Sequence, residues 1–235
     1  MTDTISQSVS SSQHDFVRRW KAPAGGRHIQ IRKESGELLG FLAPLTTTDA
    51  ADAAICDALT RWRHAARESF LTQFTATTTR TRAWLERKVL EDDTRLLFLL
   101  IEGENRPIGN IGLCDLCSTS AEIDNVLRGE VAAPRFMYHA LLALLHWAFT
   151  ELHLTQLSLH VFSNNARARQ LYDWVGFQEV TRLPLAKTIC GDEVRYVTRF
   201  PQATEPVDFE LVRMQLVSSE FWERHAWMRR TEENG

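Results

Sequence analysis

The clearest alternation of apolar and polar residues lies in residues 155–177. Its first half places an apolar side chain at every second position, as a β-strand does, at Leu157, Leu159 and Val161. Its second half places apolar side chains at helical spacing, on one face of a helix, at Ala168, Leu171, Tyr172 and Val175. Ser163 and Asn164 are cap-forming residues, and Gly176 suits the left-handed position that ends a helix. The stretch predicts a strand, a short turn, a helix, a glycine and a new strand at Phe177.

The same two patterns, strand alternation and helical spacing, predict the remaining elements. Strands are predicted at 28–32 with a return arm at 34–38, then at 40–45, 96–101, 108–116, 121–127, 180–184, 194–200 and 209–216. Helices are predicted from Thr48 or Asp49 to about His64, over 81–90, and for about four turns from Pro134. Strand 96–101 is wholly apolar, which is typical of a buried strand, and we expect it to form an antiparallel hairpin with 108–116. Residues 221–235 are aromatic and then charged, and we expect them to fray.

Two carboxylates stand in the strand predicted at 121–127. Strict alternation puts Glu122, Asp124 and Val126 on one face of that strand. The other face then carries Ile123, Asn125 and Leu127. One face of this strand is therefore acidic and the other is mostly apolar.

Composition places the chain among ordinary globular proteins. Its 235 residues suit one domain with extensions, and 44% of them are apolar and 24% charged. The net charge of −3 argues against a general nucleic-acid-binding protein, which would be basic. No run approaches the roughly 20 apolar residues that span a membrane, and residues 1–16 lack the features of a secretion signal. We therefore expect a cytoplasmic protein with no nucleic-acid or membrane partner.

The four cysteines include one C-x-x-C, but we expect it to serve neither metal nor redox chemistry. Cys114 and Cys117 are three residues apart in a predicted strand, which puts their thiols on opposite faces. Cys56 and Cys190 supply no second pair that would complete a zinc site. The sequence therefore predicts reduced structural cysteines and no metal.

The helix predicted after residue 164 carries the spacing of a known motif. The motif reads Asn165-x-x-Ala168-x-x-Leu171-Tyr172, followed by Gly176-Phe177. It resembles the second cofactor-binding motif of the GCN5-related N-acetyltransferases, the GNAT family, whose order of elements matches the one predicted here. The resemblance implies an α/β (α+β) fold with a mixed central sheet, splayed between two parallel strands, and helices on both faces. Residues 39–218 would form the acetyltransferase domain, with a partly flexible extension over 1–38 and a tail over 219–235.

The resemblance also implies acetyl-CoA as co-substrate and gives residues their roles. Asn165 and the start of its helix, with Ala168, would contact the pantetheine arm, and the Tyr172 hydroxyl would protonate the leaving thiolate. The rest of the coenzyme would meet the end of strand 121–127 and the next helix, through Val126, Leu127, Arg128, Gly129, Arg135, Phe136 and Met137. The plainer alternative is a strand–helix unit in which Asn165 only caps the helix and Tyr172 belongs to the core.

The loop before Pro134 departs from the family. The usual loop reads Arg/Gln-x-x-Gly-x-Gly/Ala, and its glycines let the backbone approach the phosphates. Here residues 128–137 read RGEVAAPRFM, so the glycine pair is missing and Pro134 offers no N–H group. Either this loop cradles phosphate differently, or coenzyme binding is weakened or lost.

Direct transfer to an amine requires a base near the thioester. We expect Glu122 to be that base, acting directly or through a water, with Asp124 as second choice. The alternative is that both belong to a solvated strand face. His160 on the adjacent strand would either point into the cleft or belong to the core.

The acceptor is indicated by Trp62-Arg63-His64 in the first long helix. The Trp62-Arg63 pair, with the sequence WAF at 147–149 in the long helix and Arg128-Gly129 at a strand end, is similar to acetyltransferases acting on nucleotide-linked amino sugars. Arg63 would meet a diphosphate and Trp62 a base or sugar face, with His64 and His160 completing the acceptor-binding set. The alternative is that Trp62 closes the core and Arg63 is a surface charge.

We therefore expect an acyl-CoA-dependent N-acetyltransferase whose acceptor is a nucleotide-linked amino sugar. Alternative acceptors are a protein N-terminus, an antibiotic amine or a polyamine, and a different class is a non-catalytic GNAT-like binding module. The aromatic residues Phe221, Trp222 and Trp227 favour either a tail packed on the domain or a homodimer surface.

Overall fold

The computed structural model describes residues 11–23, 26–103, 105–198 and 205–230. The first half of the chain forms α1 (Ser11–Lys21), β1 (Ile29–Arg32), β2 (Leu38–Pro44), α2 (Thr47–Ala51), α3 (Ala53–Ala65), a 3₁₀ turn (Arg67–Ser69), β3 (Thr72–Gln73), α4 (Thr78–Trp84) and a π-helical segment (Leu85–Leu90). The second half forms β4 (Leu96–Glu102), β5 (Arg106–Cys114), β6 (Ser120–Arg128), α5 (Phe136–Thr150), β7 (Gln156–Phe162), α6 (Ala166–Val175), β8 (Gln178–Cys190), β9 (Glu193–Val197), β10 (Glu205–Val217), α7 (Ser218–Arg224) and α8 (Trp227–Arg230).

All the strands belong to one sheet, in the order β1-β2-β4-β5-β6-β7-β10-β8-β9-β3. Strands β6 and β7 run parallel, and their pairing extends from Ser120↔Gln156 to Ile123↔Leu159 and then stops. The C-terminal ends of these two strands therefore separate and leave a gap in the sheet. The predicted mixed sheet, splayed between two parallel strands, is confirmed.

A β-bulge in β6 changes which side chains face which way. Gly112 pairs with Asp124 but Asn110 pairs with Leu127, so one residue of β5 opposes two of β6. The extra residue is Asn125, whose φ of 52° is left-handed. The prediction from strict alternation is therefore wrong beyond Asp124.

The packing contacts show which residues of β6 share a face once the bulge is taken into account. Leu127 joins Asp124 on one face, where it packs in the cluster that contains Trp62 and Leu97. Val126 joins Ile123 on the opposite face. A Cβ atom at Gly109 of β5 would lie 2.1 Å from the carbonyl oxygen of Leu127, so only glycine lets the bulged strand approach.

Helices cover both faces of the sheet. On one face, α1, α5 and α6 pack over a large cluster that contains Phe98, Phe136 and Trp147. On the other face, α2, α3 and the π-helical segment cover a smaller cluster around Trp62 and Leu85. In the part of the chain that the structure describes, no helix is both long and apolar enough to cross a membrane.

Residues 11–38, placed by sequence in an N-terminal extension, contribute to this core. Val17 of α1 is fully buried, and the ring of Trp20 lies 4.7 Å from that of Trp147. Strand β1 pairs with β2 at the edge of the sheet. Residues 1–10 lie outside the described part of the chain.

The predicted helix from Thr48 or Asp49 is two helices. Thr46 caps α2, since its hydroxyl accepts from Asp49 N at 3.4 Å and its own N–H donates to the Asp49 carboxylate at 2.8 Å. Asp52 is extended, so it ends α2 and then caps α3 by accepting from Ala54 N at 2.7 Å. The helix predicted over 81–90 begins earlier, at Thr78, and becomes π-helical from Leu85.

The expectation that residues 221–235 fray is wrong for the residues described. Phe221 is fully buried, with its ring 5.2 Å from that of Phe149, so it cannot form a dimer surface. His225 bonds through Nε2 to the carbonyl oxygen of Val175 at 2.8 Å. Aromatic packing therefore fixes α7 and α8 on the domain. Residues 231–235 lie outside the described part.

The four cysteines are free thiols. β5 ends at Cys114, so Cys117 lies in the following loop and not on the same strand as predicted. Its Sγ donates to the carbonyl oxygen of Ser120 at 3.3 Å. The position of the Cys117 thiol is therefore set by the loop and not by the alternation of side chains along β5.

Candidate active site

The gap between β6 and β7 opens into a cleft of about 490 Å³. The end of β6, the start of α5 and one side of α6 line it. All the residues predicted to bind coenzyme line this cleft except Gly129: Val126, Leu127, Arg128, Arg135, Phe136, Met137, Asn165 and Ala168. Gly129 instead packs on Trp62, since a Cβ atom there would lie 2.1 Å from the indole ring.

The loop before α5 uses three of its N–H groups inside the protein. Gly129 and Glu130 both donate to the carbonyl oxygen of Ile108, at 2.8 and 2.9 Å. Ala133 N donates to Glu102 Oε1 at 2.5 Å. These N–H groups are therefore not available to cradle phosphates, as the missing glycine pair suggested.

The first turn of α5 supplies the N–H groups that the loop does not. Phe136 N donates to Ala133 O at 3.1 Å, and the first bond from α5 back to Arg135 comes from His139 N, also at 3.1 Å. Met137 and Tyr138 lie between these two residues, line the cleft, and have no intrahelical acceptor for their N–H groups. With the positive end of the helix dipole, they suit an anion such as a pyrophosphate.

Asn165 begins α6 and lines the cleft. Its side-chain oxygen accepts from Ala168 N at 3.2 Å, so Asn165 is the cap and the prediction of Ser163 or Asn164 is wrong. This bond does not use the side-chain NH₂ group. Gly176 ends the helix with a φ of 117°, as predicted. Residue 165 therefore both starts the helix and keeps a donor for a ligand amide.

Tyr172 is buried, at 6% exposure, and lines the same cleft. Burial raises the pKa of Tyr172, and the negative charge of Asp124 raises it further. The phenol therefore keeps its proton at neutral pH. A protonated phenol in this cleft has the chemistry of a general acid.

Glu122 and Asp124 differ in how fully they are engaged. Glu122 Oε1 accepts from His160 Nδ1 at 2.9 Å across the β6–β7 junction, and each side chain is about a quarter exposed, at 27% and 28%. Asp124 forms an ion pair with Arg95 and accepts from Asn125 N and Nδ2 at 2.6 and 2.7 Å. Three donors hold Asp124 and one holds Glu122, so Glu122 is the freer carboxylate to accept a proton. Neither Glu122 nor His160 lines the cleft or the second cavity described below, whereas Asp124 lines the second cavity.

A second cavity, of about 270 Å³, lies on the other side of β6. Residues of α3, α4, β5, β6 and the segment between α3 and α4 line it: Leu59, Arg63, Phe70, Phe74, Arg80, Thr81, Trp84, Asn110, Asp124, Asn125 and Leu127. Leu127 lines both cavities. The two cavities therefore meet at the bulged end of β6.

Arg63 is the main cation in this second cavity. Its guanidinium lies 3.5 Å from the ring centroid of Phe70 and 5.0 Å from that of Phe74, and it donates to Thr72 O at 2.7 Å. Burial lowers the pKa of Arg63 to about 10, and the Asp124 charge opposes that shift. In the described part of the chain no ion pair joins Arg63 to a carboxylate. The cavity therefore contains a guanidinium group whose remaining N–H groups are available to a ligand.

The structure does not bring Trp62 and His64 into this cavity. Consecutive helical residues point about 100° apart, so Arg63 faces the cavity and its neighbours do not. Trp62 is 3% exposed, and its Nε1 donates to Glu130 Oε1 at 2.8 Å. His64 is exposed to solvent.

Sequence reasoning missed much of the second cavity, including Phe70, Phe74, Arg80 and Asn110. Residues 67–77 have no clear period, and two phenylalanines in a Thr-rich stretch were the one available signal. Nothing in the pattern of β5 sets Asn110 apart. For metals, no group of three or more His, Cys, Asp or Glu residues within the described ranges could hold an ion.

A comparison with protein families identifies the domain of this chain. Residues 12–178 match the family described as Acetyltransferase (GNAT) domain. That match spans more than half of the chain. A comparison with curated proteins gave no match.

Several solved structures of acetyltransferases have a similar fold. A spermidine N-acetyltransferase from Vibrio cholerae, in complex with CoA and spermine, has a TM-score of 0.55 and 22% identity, covering 77% of this chain and 96% of its own. Apo FdhC, described as a nucleotide-linked sugar GNAT, has a TM-score of 0.59 and 13% identity, covering 87% and 98%. A GNAT acetyltransferase from Bacillus anthracis has a TM-score of 0.58 and 14% identity, covering 83% and 100%. At these identities the likeness concerns the fold alone.

Proposed function

Because the chain belongs to the GNAT acetyltransferase family, and is thus an acyl-CoA-dependent N-acyltransferase, we propose that it acetylates a nucleotide-linked amino sugar. One observation carries the proposal. A cleft suited to a long anionic thioester and a pocket with an unpaired cation meet at the end of β6.

The cleft residues fit acetyl-CoA as the acetyl donor. The free N–H groups of Met137 and Tyr138 and the nearby Arg128 and Arg135 would hold the pyrophosphate. The spare NH₂ group of Asn165 would donate to a carbonyl of the pantetheine arm. The coenzyme supplies an acetyl thioester, and these residues would bring it to Tyr172.

Transfer would be direct, with Glu122 and Tyr172 moving the protons. As the amine nitrogen bonds to the acetyl carbon, Glu122 would take a proton from that nitrogen, directly or through a water. As the C–S bond breaks, Tyr172 would give its proton to the thiolate. No bond to the enzyme forms, so none of the free cysteines is required.

Arg63 supports an anionic acceptor. A half-buried guanidinium without a carboxylate partner is costly, and a phosphate group would use its remaining donors. Arg80 lines the same pocket but is ion-paired with Asp192, at 3.1 Å, and with Glu193, at 3.9 Å, so Arg63 is the cation that a phosphate would meet first. A polyamine, as bound in the Vibrio cholerae structure, would bring its positive charge towards these same cations.

The test is thiol release from acetyl-CoA with a panel of amines at equal concentration. The panel includes nucleotide-linked amino sugars, the same sugars without the nucleotide, spermidine, a peptide with a free N-terminus and an aminoglycoside. We expect release to be fastest with a nucleotide-linked sugar. A faster rate with spermidine or peptide would contradict this acceptor, and coenzyme binding without release from any amine would indicate a binding module.

A further inference from the structure

A buried asparagine lies in the wall of the second cavity, the one around Arg63, which we refer to as the acceptor pocket. Asn110 on β5 is 4% exposed and lines this pocket. Burying an amide is costly unless both its NH₂ group and its oxygen have hydrogen-bond partners. The buried side chains near it on β5 are apolar and offer none: Ile108, Ile111 and Leu113.

Only half of the Asn110 amide has a partner within the protein. Its Nδ2 donates to the carbonyl oxygen of Asn125 at 2.7 Å. A carbonyl oxygen can only accept, so the NH₂ group must face Asn125 and Oδ1 must face away from it. Among the described residues no group donates to Oδ1, and protein atoms do not seal this oxygen off. Asn110 Oδ1 is therefore open to the pocket.

Asn110 lies where the acceptor pocket meets the cleft between β6 and β7, the coenzyme cleft. It pairs in the sheet with Leu127, and Leu127 lines both cavities. The thioester would come from one cavity and the amine from the other, so the two react at this junction. A ligand group that donates to Asn110 Oδ1 therefore lies close to the reacting amine.

This end of the pocket offers uncharged hydrogen-bond acceptors. Asn125 donates its Nδ2 to the Asp124 carboxylate at 2.7 Å, and no described residue donates to its own Oδ1. Asn110 and Asn125, which both line the pocket, thus each present an amide oxygen. The Asp124 carboxylate would suit an ammonium group, but it is already paired with Arg95. An amide oxygen suits a hydroxyl group, which donates without carrying charge.

We propose that Asn110 is a specificity-determining residue whose Oδ1 accepts a hydrogen bond from a sugar hydroxyl next to the reacting amine. This inference rests on the proposed function, since it needs an amino sugar in the acceptor pocket. It gives the enzyme a means to select among amino sugars that carry the same nucleotide. An acceptor without that hydroxyl leaves a buried oxygen unpaired and is disfavoured.

The experiment measures kcat/KM for the nucleotide-linked amino sugar that releases thiol fastest in the panel above, and for deoxy analogues that each lack one hydroxyl next to the amine. Wild-type enzyme should prefer the parent sugar over one analogue by about 5- to 150-fold, the range for a buried polar group left unpaired. Asn110→Ala should reduce that preference to less than twofold. A purely structural role would slow both acceptors equally and leave their ratio unchanged.

The matched control removes another buried polar group of the same pocket. Thr81 is 9% exposed and lines the pocket, but its hydroxyl oxygen already accepts from Thr60 Oγ1 at 2.7 Å. Thr81→Val should therefore keep the wild-type preference for the parent sugar. Calorimetry should show the same acetyl-CoA affinity in Asn110→Ala and in wild type, because Asn110 does not line the coenzyme cleft.

Two outcomes would overturn the inference and leave the proposed function standing. One is a wild-type kcat/KM that is within twofold for the parent sugar and every analogue, a result that does not depend on how Asn110→Ala folds. The other is an unchanged preference in Asn110→Ala. Thiol release with another amine of the panel but with no nucleotide-linked sugar would instead remove the proposed acceptor, and this inference with it.

Discussion

The coenzyme cleft and the acceptor pocket share the end of β6, but they are built differently. The cleft comes from segments that directly follow β6 and β7, so short spacings along the chain place Arg135, Asn165 and Tyr172. The pocket gathers residues from Leu59 to Leu127, on five separate segments. A site made by local geometry can be read from sequence, whereas a site made by packing of distant segments cannot.

Tyr172→Phe should produce the largest change, because it removes the proposed acid and leaves both cavities intact. We expect kcat to fall by about 10²- to 10⁴-fold, with the dissociation constant for acetyl-CoA unchanged. Steady-state kinetics and calorimetry measure the two quantities. A kcat within threefold of wild type would remove Tyr172 from the reaction.

Arg63→Gln should act on the acceptor pocket alone. Loss of a charge-assisted hydrogen bond to a phosphate costs about 1.5–3 kcal/mol, so KM for a nucleotide-linked sugar should rise by about 10- to 150-fold. KM for acetyl-CoA should stay near its wild-type value. Arg63→Lys is the control, since it keeps the charge but loses the planar stacking on Phe70. If Arg63→Gln instead raised KM for acetyl-CoA, the two cavities would not be separate sites.

Two substitutions of Asn165 separate its contribution to stability from its contribution to coenzyme binding. Asn165→Asp keeps the oxygen that caps α6 and loses the NH₂ donor, so we expect unchanged stability and about tenfold weaker acetyl-CoA binding. Asn165→Ala should lose about 1 kcal/mol of stability as well. Chemical denaturation and calorimetry measure these effects. Equal coenzyme affinity in wild type and Asn165→Asp would leave Asn165 as a helix cap only.

The smallest expected effect is in the pH profile. A general acid works while protonated, and burial moves the pKa of Tyr172 upwards from its usual value near 10. The alkaline fall in kcat due to this group should therefore lie above pH 10, with kcat flat from about pH 8 to 10. A fall centred below pH 9 that disappears in Tyr172→Phe would contradict this environment for the phenol.

The two regions also mark what the sequence could predict. The motif from Asn165 to Phe177 gave the helix, its glycine end and the family, because each depends on neighbours along the chain. The prediction from strict alternation is wrong at Asn125, where β6 has a bulge. That bulge depends on the close approach of Gly109 on β5, which the pattern of β6 alone does not show. The role that the resemblance gave Trp62 is wrong, because its side chain lies in the core beneath Gly129, as the plainer alternative predicted. Phe70 and Phe74 could not be foreseen, since only folding brings them to Arg63.

The central claim is that both substrates lie at the end of β6 at the same time and react directly. Initial rates measured over a grid of acetyl-CoA and acceptor concentrations test it. Direct transfer predicts double-reciprocal lines that intersect. Parallel lines, the mark of a covalent acetyl-enzyme, would contradict the account.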